Sequence, residues 1–122
     1  MIPRNLMMLL DPSADWPICS VAVVQEGLKA ELRDKLGTIL PSWEPVELPG
    51  QIMKPGHMAM IAVNDEALRD CAEFNLIASS LQSRIPIVGR AIVVAMEGEK
   101  PVPLDVDEAL GIVRAVAELL GW

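Results

Sequence analysis

The sequence predicts an α+β fold in a single domain over residues 1–122. The expected sheet is mixed but mostly antiparallel, it begins with a hairpin, and two amphipathic helices pack on one of its faces. Short apolar runs rich in β-branched residues, separated by turn-forming Pro, Gly and Asp, are typical of strands. Residues 26–40 and 105–120 instead repeat their apolar residues at the helical period. A chain of 122 residues without a repeat or linker is expected to form one core.

The predicted hairpin opens the chain. Leu6–Leu10 is a short apolar run, and the Pro- and Asp-rich residues 11–17 favour turns. Residues 18–24 are β-branched and partly alternating, so we expect this second strand to pair antiparallel with the first.

The first predicted helix runs from residue 25 to about residue 40. Leucines recur every four residues and charged residues lie between them, which predicts one leucine face and one charged face. These leucines are Leu28, Leu32, Leu36 and Leu40. Pro41 is expected to end the helix. Residues 43–48 predict a short strand, and Pro45 within it favours a position at the edge of the sheet.

The second half of the chain predicts two longer strands, at 58–63 and 85–96, with Gly89 marking a bend in the latter. Residues 75–83 predict one or two turns of helix between them. The last helix, 105–120, has Asp105 or Asp107 as its cap and Gly121 at its end. Its predicted core face consists of Val106, Leu110, Val113, Ala117 and Leu120.

Composition and charge exclude several function classes. Aromatic residues make up 3% of the chain and the formal net charge is −7. Both values argue against binding of nucleic acid, which needs stacking platforms or clustered basic residues. The apolar runs fit neither a signal peptide nor a membrane span, so we expect a cytoplasmic protein that does not bind membranes. Cys19 and Cys71 are expected to be buried free thiols.

Three stretches carry a resemblance to a known family. They are the hairpin and helix of residues 6–40, Val63-Asn64-Asp65-Glu66 followed by Asn75, Leu76 and Ala78, and Ile87-Val88-Gly89 at the start of a strand. Together they resemble a domain family of unknown function that occurs in phages, plasmids and gut-metagenome sequences. The resemblance implies a setting in mobile genetic elements and no particular mechanism.

His57 is the only histidine, in a predicted loop that precedes a buried strand. Nucleophilic catalysis would need a nucleophile, a base and an orienting group within hydrogen-bond reach of one another. No nucleophile elbow, phosphate-binding loop or metal-ligand spacing is present, so no cofactor and no metal are expected. A hydrolase-like enzyme that uses His57 with a cysteine or a carboxylate remains an alternative.

The acidic residues form the clearest surface feature. They cluster at 65–73 and 97–108, on predicted turns, where solubility alone would explain them. We expect instead a non-enzymatic binding protein whose acids face a basic protein surface, for example on a nucleic-acid-handling protein whose DNA site they imitate. The candidate partner-binding residues are Asp65, Glu66, Asp70, Glu73, Glu97, Glu99 and Asp105.

Two further surfaces are candidates for contacts. A homo-oligomer, or a self-assembling structural protein, would use Trp122 and the edge strand that contains Pro45. The methionines are expected to fill the core, and only Met53, in a loop, is a candidate for an adaptable protein-binding patch.

Overall fold

The computed structural model describes residues 5–13, 16–38, 40–47, 52–68, 73–82 and 85–121, without the side chains of residues 67 and 68. These residues form an α+β fold, as predicted. Its strands are β1 (Leu6–Leu10), β2 (Ile18–Ala22), β3 (Ser42–Pro45), β4 (His57–Val63), β5 (Ala91–Glu97) and β6 (Lys100–Val102). Its α-helices are α1 (Leu28–Leu36), α2 (Leu76–Ser80) and α3 (Val106–Leu120), and single 3₁₀ turns lie at Gln25–Gly27 and Asp65–Leu68.

All described strands belong to one sheet of order β2-β1-β5-β4-β3, and β6 pairs with the far end of β5. The N-terminal hairpin and the edge position of β3 are confirmed. The prediction of a mixed sheet is wrong, because every described pairing is antiparallel. The reason lies in the connection between β4 and β5. The chain leaves β4 at Val63 and enters β5 at Ala91, the direct partner of Val63, so the connection returns to the same end of the sheet and the two strands run antiparallel.

The two main helices lie on opposite faces of the sheet, so the prediction that both pack on one face is wrong. Met8 and Val93 share a core with α2 and α3, which defines the α3 face. Met7 and Ile92 share a second core with α1, which defines the α1 face. The cause is β5, whose residues 91–95 are all apolar and buried, and a strand of that kind needs cover on both sides.

The helices α1 and α3 end at glycine residues rather than at proline. Helix α1 stops at Leu36 because Gly37 takes the left-handed conformation, with φ of 74°, so the predicted end at Pro41 is too late. Leu40 therefore lies outside the helix and is exposed. Helix α3 matches its predicted bounds, with Asp105 and Glu108 forming a capping box and Gly121 ending it.

The predicted core face of α3 is wrong for most of its residues, although Leu120 does pack against the core. The residues that it buries are Glu108, Ala109, Ile112, Ala115 and Val116, whereas Val106, Leu110 and Val113 are exposed. Helix α3 carries two apolar stripes, and a periodic pattern alone does not say which stripe meets the sheet. The small Ala109 and Ala115 allow the closer approach of helix and sheet.

The long predicted strand at 85–96 begins only at Ala91. The residues before it are held by a bend at Gly89, whose φ is 76°, which confirms the expected bend. Cys19 is exposed, because β2 is an edge strand, so its predicted burial is wrong. Cys71 lies outside the described residues. In the described part of the chain, no helix has both the length and the apolar character to cross a membrane.

Candidate binding surface

Part of the α1 face is left uncovered by the described residues. Helix α1 packs over Ala62, Ile92 and Val94, but at nine residues it is about 14 Å long, whereas β4 and β5 run for about 23 Å. The strand register shows what lies beyond the helix, because directly paired residues share a face. Met58 pairs with Met96, Met96 with Pro101, and Met60 with Pro45.

These five residues, Met58, Met60, Met96, Pro45 and Pro101, are called the methionine surface. None of them is fully buried, and Met58 is 58% exposed. The alternation in the β4 sequence HMAMIAV puts Met58 and Met60 on one side, which is a signal that the sequence does carry. Met53, the methionine singled out from the sequence, instead packs against the core on the α3 face.

A cleft of about 380 Å³ separates α1 from the methionine surface. Its apolar lining includes Leu32, Trp43, Met96 and Pro101, and its charged residues are Lys29, Arg33 and Glu99. The cleft therefore combines an aromatic ring and a flexible thioether with two basic groups. Its volume falls within the range of about 300–1,000 Å³ that is usual for binding pockets.

The basic residues of the cleft are available to a ligand. Lys29 and Arg33 lie four residues apart on α1, so both point to the same side of the helix. Neither forms an ion pair with a described residue, whereas Lys35 on the same helix lies 3.6 Å from Glu31. In a chain of net charge −7, this cleft is a local basic site.

A second, smaller cleft of about 170 Å³ lies between the end of β4 and residues 85–88. It is lined mainly by aliphatic side chains, and its one charged residue is Asp65. It has no aromatic residue and no basic residue among its described lining, so it offers less to a ligand than the cleft beside α1.

His57 is the first residue of β4 and lies between two carboxylates. Its Nδ1 is 3.0 Å from Oε2 of Glu108, and its Nε2 is 3.3 Å from Oε2 of Glu97. The buried Glu108 also accepts hydrogen bonds from the backbone N–H groups of Lys54 and Asp105. This carboxylate is thus fully satisfied and ties the segment before β4 to the start of α3.

An ion pair reinforces the same junction. Lys54 Nζ lies 3.1 Å from Oδ2 of Asp105, and this hydrogen bond raises the pKa of Lys54. Partial burial alone would raise the pKa of Asp105, but hydrogen bonds from the Glu108 backbone and from Lys54 outweigh it and lower that pKa.

Among the described residues, the enzyme alternative has a base and an orienting carboxylate but no nucleophile beside them. His57 does contact carboxylates, but no described hydroxyl or thiol forms a hydrogen bond with it. Cys19 pairs with Leu9 on the α1 face, three strands or about 14 Å away across the sheet. Neither cleft described above is lined by His57. Its contacts explain it as a structural link.

The candidate acidic residues divide into two groups at opposite ends of the sheet. Asp65, Glu66 and Glu73 are exposed beyond the end of β4, whereas Glu97, Glu99 and Asp105 lie at the start of that strand. The seven paired residues of β4 and β5 separate the groups by about 20 Å. They therefore form two small patches rather than one surface.

Some of these carboxylates already form contacts within the protein. Asp105 caps α3 and pairs with Lys54, and Glu97 contacts His57. Asp70, like Trp122, lies outside the described residues. No group of described side chains could hold a metal ion. The role of the acids in binding a basic partner stays a prediction.

Comparisons with known proteins find no relative of this chain. No family model, no curated protein and no solved structure matches the chain. The resemblance to the phage and plasmid family likewise stays a prediction.

Proposed function

We propose that this is a binding protein without catalytic activity, which captures an acidic segment of a partner protein in the cleft beside α1. The observation that carries the proposal is the cleft on the α1 face, where Lys29 and Arg33 form no ion pair with a described residue and outnumber the one acid, Glu99. The partner supplies one bulky apolar side chain to the cleft and carboxylates to its basic side.

The chemistry of the lining supports such an occupant. Trp43 offers a large rigid contact area, and Met96 and Met58 adapt their flexible side chains to a partner's shape. Carboxylates beside Lys29 and Arg33 would gain charge-assisted hydrogen bonds. The apolar anchor supplies affinity and the charges supply orientation, which is the usual division at protein interfaces.

This proposal expects an acidic partner. The alternative is a basic partner, which the two acidic patches would favour. A basic partner would dock at Asp65, Glu66 and Glu73, or around Glu97 and Glu99. Either partner would act in the cytoplasm, the compartment that we propose because the exposed thiol of Cys19 suits reducing conditions.

The test is selection of peptides from a random displayed library against the whole chain. We expect enriched peptides to carry an aromatic or aliphatic residue flanked by Asp or Glu. Arg33→Glu should weaken the binding of a selected peptide about tenfold, because it replaces attraction by repulsion.

Lys35→Glu is the matched control, since it makes the same charge change on the same helix but outside the cleft lining. We expect it to change the affinity by less than about twofold. Enrichment of Lys- and Arg-rich peptides would refute the proposal in favour of a basic partner. Equal weakening by both variants would show that net charge, not the cleft, governs binding.

A further inference from the structure

The outward side of α3 carries an apolar stripe that the described residues leave partly exposed. Val106, Leu110, Val113 and Ala117 recur at intervals of four, three and four residues, and Leu110 is 48% exposed. We call these four residues the outer stripe. The spacing is that of the seam between two helices in a coiled coil, where such residues pack against a second helix.

Three charged residues flank the outer stripe: Asp107 and Arg114, which have opposite signs, and Glu118 near the end of α3. Asp107 and Arg114 each follow a stripe residue directly, and they lie seven residues apart on the same side of α3. That spacing corresponds to about 10 Å along the helix, too far for the two side chains to pair with each other. Neither forms an ion pair with another described residue.

We propose that two copies of this chain pair through their outer stripes, with the two α3 helices antiparallel and crossing near Leu110. This arrangement brings Asp107 of one copy opposite Arg114 of the other. Because the pairing has two-fold symmetry, the same ion pair forms twice. The charge pattern is thus complementary to itself in the antiparallel orientation, whereas a parallel pairing would place like charges together.

The expected dimer is weak. One helix pair buries less surface than the roughly 800 Å² per partner of a standard interface, so we expect a dissociation constant of about 10–100 µM. The stripe lies on the opposite side of the sheet from the cleft of the proposed function, and the two proposals stand or fall separately. A dimer would present two such clefts, so a partner with two acidic segments would bind more tightly.

Analytical ultracentrifugation of the full chain from about 5 to about 500 µM tests the pairing, a range that brackets the expected dissociation constant. We expect a shift from monomer to dimer across this range. Leu110→Glu should hold the chain as a monomer, since it places a charge in the centre of the contact. A wild-type chain that stays monomeric throughout would overturn the proposal.

Exchanging the charges of Asp107 and Arg114 tests whether this interface, and not another, forms the dimer. Arg114→Asp alone and Asp107→Arg alone should each weaken the dimer about fivefold or more, because each sets like charges opposite one another. The double variant Asp107→Arg/Arg114→Asp should restore it. Glu26→Arg, an equal charge change at an exposed site before α1, is the control and should leave the dimer intact. A dimer that tolerates Leu110→Glu, or a double variant no better than the singles, would overturn the proposal.

Discussion

The two faces of the sheet are built in different ways. On the α3 face, two helices cover β1, β4 and β5, and buried polar groups join the segments that meet there. On the α1 face, a single helix of nine residues covers about half of the strands and leaves three methionines at the surface. The strands supply apolar residues to both sides, so the length of the covering helix decides where core ends and binding surface begins.

Asn75 shows how specifically the α3 face is assembled. Its buried side chain donates hydrogen bonds to the carbonyl oxygens of Leu10 and Gly89 and accepts one from the Ala78 N–H. One amide thus joins the end of β1, the bend before β5 and the start of α2. On the α1 face, the partly exposed Arg90 makes the corresponding link, to Asp11 and to the carbonyl oxygen of Lys35.

The largest expected effect is that of Asn75→Asp. The change replaces the NH2 group, which donates to two carbonyl oxygens, by one carboxylate oxygen that faces both of them in a buried site. We expect a loss of about 3 kcal/mol or more in the free energy of unfolding, measured by urea denaturation. Asn64→Asp is the control in a half-buried site, with an expected loss of about 1 kcal/mol. Equal losses would mean that the Asn75 network does not hold the α3 face together.

The second prediction tests which helix surfaces are core. Leu32 is 3% exposed under α1, whereas Val113 lies on the outer stripe of α3 and is 37% exposed. Leu32→Ala should therefore lower the free energy of unfolding by about 2–4 kcal/mol, and Val113→Ala by less than about 1 kcal/mol. Both are read from denaturation midpoints at low protein concentration, where a weak dimer does not contribute. A loss for Val113→Ala as large as that for Leu32→Ala would mean that the outer stripe of α3 is buried.

The smallest expected effect is on the stability of the fold at acidic pH. Arg90 Nε lies 3.0 Å from Oδ2 of Asp11, and Arg90 also donates to the Lys35 carbonyl, which ties α1 to the end of β1. Burial alone would raise the pKa of Asp11, but hydrogen bonds from Ser13 and the charge of Arg90 outweigh it and lower that pKa. A carboxyl group whose pKa is lower in the folded state stabilises the fold above its unfolded pKa of about 3.9.

That stabilisation is lost as the pH falls below about 4 towards the folded pKa. In wild type, the free energy of unfolding should therefore decrease between about pH 4 and pH 2. Asp11→Asn should be less stable at neutral pH and should show a smaller decrease over this acid range. Asp105→Asn makes the corresponding change on the α3 face, where Asp105 also has a lowered pKa. An acid profile identical in Asp11→Asn and wild type would remove the Asp11–Arg90 pair as a tether of α1.

Local features were predictable from the sequence because their causes are local. The hairpin follows from apolar runs around a Pro- and Asp-rich turn, and the bounds of α3 follow from its capping residues and Gly121. The end of α1 was also readable, since Gly37 is a stronger stop signal than the more distant Pro41. The α+β fold class needed no more than these elements.

The side of the sheet on which each helix packs was not predictable in the same way. Whether α1 and α3 share a face depends on how chain segments cross the sheet, and a helical period carries no information about that. The run AIVVA in β5 does indicate cover on both sides, but only once β5 is known to be central. The cleft joins Lys29 and Trp43 to Met96, residues far apart in the chain, and only the register of three strands brings them together.

The central claim is that the outer half of the α1 face is open to a partner. Methyl NMR of the chain labelled at its methionines, with a soluble paramagnetic relaxation agent, measures this directly. We expect the methyl signal of Met58, which is 58% exposed, to broaden strongly. The signals of Met60 and Met96 should broaden less, and those of the fully buried Met7 and Met8 should not broaden. A Met58 methyl signal as well protected as that of Met8 would mean that this face is covered, and would contradict the claim.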